Sequence, residues 1–168
     1  MKRLYLMCGL AFSGKTILAK SIVQHLDAGY ISLDDINKER GLGFGGQGIP
    51  VEEWEKNHQV AIHRLRAMMP NGRDLVLDDT NCLRQLRDRF RRVADEYRYH
   101  TIVVYLDIPL QTITQRMAHN ELNPKRDSVD SYIFHNLVSM FEWPDEDEAV
   151  LTFGETTETD IWIRSLPI

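Results

Sequence analysis

The chain has 168 residues, 43% of them hydrophobic and 27% charged, the balance of one globular domain; disorder and collagen-like repetition are excluded. At this length roughly 70% of the unfolded surface is buried on folding, so no disulfide staple is needed. Lysine and arginine number 20 against 25 aspartates and glutamates, a net charge of −5, which excludes a general polyanion binder and makes any nucleic-acid contact a local one.

Apolar runs and amphipathic stretches alternate along the whole length. Leu4 to Cys8 is a continuous apolar run, the pattern of a strand covered on both faces. Ile17, Leu18, Ile22 and Leu26 then recur at helical spacing from Lys15 to about Leu26. A short run, Tyr30 to Leu33, ends in Asp34-Asp35, and the glycines Gly41, Gly43, Gly45, Gly46 and Gly48 follow as a loop bounded by Pro50. Pro50 is expected as the first helical position of a helix reaching about Met69. Leu75 to Leu77 is a third strand, ended by Asp78-Asp79-Thr80-Asn81. In the next helix Leu83, Leu86, Phe90, Val93, Ala94 and Tyr97 make one apolar face. Thr101 to Leu106 is a fourth strand; a helix from Pro109 to about His119, a polar stretch to Ser128 and a helix from Val129 to Phe141 follow. Ala149 to Phe153 is a fifth strand, and Thr157 to Leu166 a short closing helix. Strand-helix alternation repeated five times predicts an α/β fold, a five-stranded parallel sheet with helices on both faces, with ligands at the carboxyl ends of the strands.

The first of those ends carries Gly9-Leu10-Ala11-Phe12-Ser13-Gly14-Lys15-Thr16, a complete G-x-x-x-x-G-K-[ST] phosphate loop. Glycines let the backbone curl so that its N–H groups converge on phosphate oxygens, and the following helix aims its positive end at the same anion. Lys15 reaches toward the β- and γ-phosphates, and the Thr16 hydroxyl is placed to ligate Mg²⁺. Gly9, Ser13, Gly14, Lys15 and Thr16 are therefore the expected nucleotide contacts.

A phosphate loop alone does not separate a kinase from a switch or a motor. The carboxylates after strands two and three discriminate, because a kinase needs one to accept the acceptor's proton and another acidic group to hold Mg²⁺ or the acceptor. The competing reading is that such aspartates only cap helices. Asp34, the first residue past strand two, is expected to point into the cleft. Asp35 should point away if the extended conformation persists.

The chain resembles the polynucleotide-kinase-like and zeta-toxin-like group of P-loop kinases, among AAA-type predicted-kinase ATP-binding proteins. The resemblance rests on GLAFSGKT, ISLDDIN, LVLDDTN, an arginine-rich helix, and the stretch from Gln115-Arg116-Met117 through Pro124-Lys125-Arg126 to Phe141-Glu142-Trp143-Pro144. It implies a P-loop NTPase kinase fold over residues 1–168, with a short lid at about 119–128, using ATP and Mg²⁺. It implies Lys15 and Thr16 for nucleotide and metal, Asp34 as general base, Asp79 beside the acceptor, and Arg116 and Arg126 as lid arginines on the triphosphate. Polynucleotide-phosphorylating members carry an arginine shortly after the aspartate pair, where this chain has Asn37; Lys38 or Arg40 are the possible substitutes. The acceptor is thus expected to be a small molecule or nucleoside, with a polynucleotide 5′-hydroxyl as the alternative. A non-catalytic nucleotide switch is the alternative of another class.

The remaining features read more plainly. The glycine stretch 41–48 is expected as a mobile acceptor-side loop. Trp54, His58, Ile62, Leu65 and Met69 read as core, Arg84, Arg87, Arg91 and Arg98 as a solvated helix face, and Asp145 to Glu148 as a solvated acidic turn. Cys8 and Cys82 lack metal spacing and read as buried reduced thiols, pointing to the cytoplasm. The amino end is too short an apolar stretch for a secretory signal and runs into the phosphate loop; no run approaches the roughly 18 residues of a membrane span. No membrane association and no stable protein partner are expected.

Overall fold

The computed structural model describes residues 1–43 and 48–167. Five strands, β1 (Arg3–Cys8), β2 (Gly29–Ser32), β3 (Leu75–Asp78), β4 (His100–Asp107) and β5 (Val150–Gly154), form one parallel sheet in the order β2-β3-β1-β4-β5. The connecting helices are α1 (Lys15–Leu26), α2 (Leu33–Glu39), α3 (Val51–Met68), α4 (Arg84–Glu96), α5 (Leu110–Leu122), α6 (Ser131–Met140) and α7 (Thr159–Arg164). β1 lies in the middle, with every residue buried. The chain builds outward to one side of it through β2 and β3, then returns to build β4 and β5 on the other. The carboxyl end of β1 is therefore the point where the strand order reverses, the place such sheets bind ligands.

Alternation along the strands divides the core in two. Tyr5 and Met7 face Leu18 and Ile22 of α1, Ile113 of α5, Phe134 of α6 and Ile163 of α7. Leu4 and Leu6 face the opposite layer, with Ile36 of α2, Ala61 and Leu65 of α3, and Phe90 and Val93 of α4. Among the described residues no helix is long and apolar enough to cross a membrane.

Two local expectations need correction. Pro50 is the cap residue before α3, with an extended ψ of 145°, not its first helical residue. The Asp34-Asp35 pair is not extended chain. β2 stops at Ser32, whose hydroxyl accepts the Asp35 N–H at 3.2 Å and starts α2 at Leu33. A serine three residues before an acidic residue is a helix-start signal. The glycine loop is described only at its two ends; its reading as an acceptor-side loop falls largely on residues 44–47, outside the described residues.

Candidate active site

The loop between β1 and α1 has the backbone that its glycines predict. Gly9 has a φ of 156°, and a Cβ there would approach the Ser13 hydroxyl to 3.1 Å and Leu106 Cβ to 3.3 Å. Gly14 caps α1 at a φ of 103° and offers no side-chain bond to the first turn. The opening N–H groups of α1, which have no intrahelical acceptor, are thus left for a ligand. The Ser13 hydroxyl is buried without a partner among the described residues. Lys15 donates to the Leu10 carbonyl at 2.8 Å. Enclosure by protein lowers its pKa, while the charges of Asp78, Asp79 and Asp34 work the other way. Thr16 is exposed in the first turn. An uncapped first turn, an orphaned buried hydroxyl and one lysine are a donor set that fits a polyphosphate.

The turn after β3 is sewn to this loop. The Gly9 N–H donates to the Thr80 carbonyl at 3.1 Å, Asn81 Nδ2 to the Met7 carbonyl at 2.8 Å, and the Cys8 thiol to the Asn81 carbonyl at 3.5 Å. Asn81 adopts the left-handed conformation (φ 45°), which asparagine tolerates better than most residues. Asp79 is thereby carried to the rim of the phosphate loop. Asp78, buried, accepts the Tyr30 hydroxyl at 2.7 Å; sequence reasoning had given neither residue a role.

Asp34 enters the same cleft from the first turn of α2. Desolvation raises its carboxyl above the usual range, the charges of Asp79 and Asp78 add to the rise, and Lys15 and Arg126 oppose it. Asp35, about 100° further round the helix, lies 3.9 Å from Lys38 at the surface. The two aspartates do separate, but by helical rotation rather than strand alternation. Asp79 moves the other way: burial opposes ionisation, yet contact with His58, the Thr80 N–H and the charge of Lys15 bring its pKa below the usual range.

The segment expected as a lid closes over the loop from α5. Arg116 donates to the Phe12 and Ser13 carbonyls, each at 3.1 Å, and the Arg126 guanidinium lies 4.3 Å above the Phe12 ring. Both arginines thus already have partners on the phosphate loop. Asn120 ties the segment internally, accepting from the Lys125 and Arg126 N–H groups and donating to the Arg126 carbonyl at 2.9 Å. Phe12, Arg116, His119, Asn120 and Arg126 border a cavity of about 350 Å³.

Other expected contributors are absorbed by the fold. Asn37 is fully buried and accepts from Asn57. Arg40 is bound to the Glu53 carbonyl at 3.0 Å and to the Glu53 carboxylate. Arg87, expected on a solvated face, is buried, and so is Glu148 from the supposed solvated turn. All five guanidinium N–H groups of Arg87 are used: Nε and Nη2 on Glu148 at 2.9 and 3.0 Å, Nη1 on the Asn81 and Glu142 carbonyls at 2.9 Å each, Nη2 also on Trp143 at 3.3 Å. Residues 142–148 return across α4 and cover the face that its periodicity left for solvent. Among the described residues no cluster of three His, Cys, Asp or Glu side chains could hold a metal ion by itself.

A family model described as AAA domain matches residues 4–144. No curated protein matches the chain. Among solved structures, the unliganded sugar kinase of Janibacter sp. HTCC2649 aligns at 18% identity with a TM-score of 0.75, covering 98% of this chain and 91% of that one. Chaetomium thermophilum Kti12 in complex with ADP-AlF3 aligns at 16% identity and TM-score 0.76, covering 96% and 93%. The Mycobacterium tuberculosis APS kinase CysC in complex with AMPPNP and APS aligns at 15% and 0.69, covering 97% and 94%. The architecture is shared with P-loop kinases.

Proposed function

The chain belongs to the AAA domain family, and from that membership and the geometry of its cleft we propose that it transfers the γ-phosphoryl group of ATP to a hydroxyl of a small-molecule acceptor. One observation carries the reading. The turn that carries Asp78 and Asp79 is bonded to the phosphate loop through the Gly9 N–H, Lys15 is held within that loop, and Arg126 lies over its Phe12, so that these groups and Asp34 lie near enough to perturb one another's ionisation. Cations on the phosphate side face carboxylates on the acceptor side, the arrangement that phosphoryl transfer to a hydroxyl requires.

In this reading the uncapped N–H groups of α1 and Lys15 hold the β- and γ-phosphates. Thr16 and phosphate oxygens would hold Mg²⁺, which when bound neutralises charge on the phosphates. Asp34 takes the proton of the acceptor hydroxyl, and its raised pKa makes it a stronger base than an ordinary carboxylate. The acceptor oxygen forms its bond to the γ-phosphorus as the bond to the ADP oxygen breaks, and ADP leaves with that electron pair. Asp79 orients the acceptor. Arg116 and Arg126 exchange the Phe12 carbonyl and ring for phosphate oxygens, and residues 119–128 serve as the lid of a single domain spanning 1–168.

The lid and the aspartate-threonine-asparagine run support a place near the polynucleotide-kinase-like and zeta-toxin-like group. The acceptor side supports a small molecule over a polynucleotide end: Asn37 is buried, and Arg40 is neutralised by Glu53. Incubation with γ-labelled ATP and a panel of nucleosides, sugars, aminoglycosides and 5′-hydroxyl oligonucleotides tests this. Label should move to one class of small molecule. Slow release of phosphate that no acceptor changes would instead favour a nucleotide-dependent switch.

A further inference from the structure

His58 lies within α3, and its ring is held between two others. Trp54, one turn earlier, stacks on it with centroids 6.2 Å apart, and Phe90 of α4 meets it edge-on at 6.0 Å. Packing therefore sets the direction of Nε2. That direction is toward Asp79: Nε2 lies 3.5 Å from Asp79 Oδ2, with the two side chains only 8% and 9% exposed. Nε2 makes no hydrogen bond among the described residues. A ring nitrogen buried this deeply calls for a partner, and the Asp79 carboxylate is the acceptor in front of it. Core packing between Trp54 and Phe90 would be met as well by phenylalanine; only the carboxylate gives the nitrogen a purpose.

We propose that His58 is a positioning residue for the transfer reaction, its Nε2–H holding the Asp79 carboxylate in the orientation that receives the acceptor hydroxyl beside Asp34. What Asp79 does for the acceptor rests on the kinase reading; the pairing itself does not. The groups facing Asp79 are His58 from α3, Lys15 from α1, Asp34 from α2 and Cys82 from its own turn; Glu55 is a further neighbour of His58. Of these, His58 is foremost among the influences that keep Asp79 ionised against its burial. The resulting negative charge is in turn one cause of the raised pKa of Asp34. His58 thus reaches the base through Asp79 without touching a reacting atom.

Two variants separate this role from packing. His58→Phe keeps an aromatic ring between Trp54 and Phe90 and removes the nitrogen, whereas His58→Gln keeps a side-chain N–H. In carboxyl ¹³C NMR of the ligand-free protein, the Asp79 titration should move up in His58→Phe and move up less in His58→Gln, whose amide keeps a donor. Transfer should fall about 10²-fold in His58→Phe, the order expected for a misplaced reacting group, with unchanged affinity for a non-hydrolysable ATP analogue, and should recover most of the way in His58→Gln. Should His58→Phe not fold, Asp79→Asn against wild type reads the same pairing through the His58 Nε2 ¹⁵N resonance, which should shift. Wild-type transfer with an unmoved Asp79 in His58→Phe, or an unmoved ¹⁵N resonance in Asp79→Asn, overturns the proposal. A wild-type protein that phosphorylates no acceptor would remove the kinase reading, while the Asp79 titration would still report the pairing.

Discussion

Asp34 and Glu148 are both carboxylates near arginine, and their pKa values are driven in opposite directions. At Asp34 desolvation leads, two neighbouring aspartates add to it, and the charges of Lys15 and Arg126 do not reverse the rise. At Glu148 desolvation is also the foremost influence, but Arg87 grips both oxygens, the Asp145 N–H donates as well, and the carboxyl ends below its usual range. The cations differ in the same way. Arg87 has spent every donor on Glu148 and three carbonyls, whereas Lys15 is held by one carbonyl and Arg116 by two. A cation with all its donors used is architecture; one lightly held beside a carboxylate that the fold does not stabilise is poised for a ligand. The α4 junction is built to be finished, and the cleft at the end of β1 is not.

The largest test of that contrast is on the phosphate side. Lys15→Ala should abolish phosphoryl transfer while circular dichroism stays native; substantial remaining transfer would remove this loop from the chemistry. Asp34→Asn should lower kcat by about 10²–10⁴, the usual span for a general base, with little change in ATP affinity. Asp35→Asn should lose far less, since Asp35 faces Lys38 at the surface; a dead Asp35→Asn beside an active Asp34→Asn would reverse the assignment.

At the α4 junction the cost should appear in stability. Arg87→Met takes from buried Glu148 the guanidinium that grips both its oxygens and leaves only those of Arg84 and Arg91, 3.7 and 3.9 Å away, a loss of at most about 3–5 kcal/mol, read as a lower urea midpoint. Combining it with Glu148→Gln should restore part of that loss, because the poorly paired charge is gone. If Arg87→Met unfolds no more easily than wild type, the junction is not the structural clamp described.

The two carboxylates should also give opposite pH signatures. A depressed folded pKa stabilises above the unfolded value, so the Glu148 contribution is present at neutral pH and is lost as pH falls through its depressed folded value. Asp34, raised in the folded state, favours folding below the unfolded value, and that contribution is lost as pH rises through its raised folded value. Asp34→Asn should therefore have a slightly higher Tm than wild type at neutral pH, a small gap because Asp34 is exposed and screened by solvent, closing as the solution is acidified, while Glu148→Gln should show the reverse. Equal Tm for Asp34→Asn and wild type at every pH would mean that Asp34 is not strained. The smallest effect is expected in the lid: hydrogen exchange in residues 119–128 should slow when an ATP analogue and Mg²⁺ are added, and only modestly, because Asn120 already ties the segment.

How far the site could be read from residues alone varies with distance along the chain. The phosphate loop was fully legible, since eight consecutive residues specify its nest and its helix start. Asp34 and Asp79 were legible as strand-end carboxylates, but the reason for preferring Asp34 over Asp35 was not. The apolar run reads as extended chain through the aspartate pair, whereas a serine cap at Ser32 begins a helix there. The partners of Arg116 are not legible at all, because nothing near it in sequence announces the Phe12 carbonyl, 104 residues away.

Local order alone decided the strands, the phosphate loop and most of the helices. Each depends on side-chain alternation, caps or glycine backbone freedom within a few neighbours, and those act in the same way whatever surrounds them. Tertiary structure alone decided which polar groups would be desolvated and which would find partners. Arg87 and Glu148 are 61 residues apart, and both sit on patterns that read as solvated. His58 sits in a stripe that reads as plain core, and only the tertiary fold brings the turn after β3 to it and sets Asp79 before its nitrogen. Burial and charge pairing belong to the folded neighbourhood, and that neighbourhood is assembled from segments that periodicity treats one at a time.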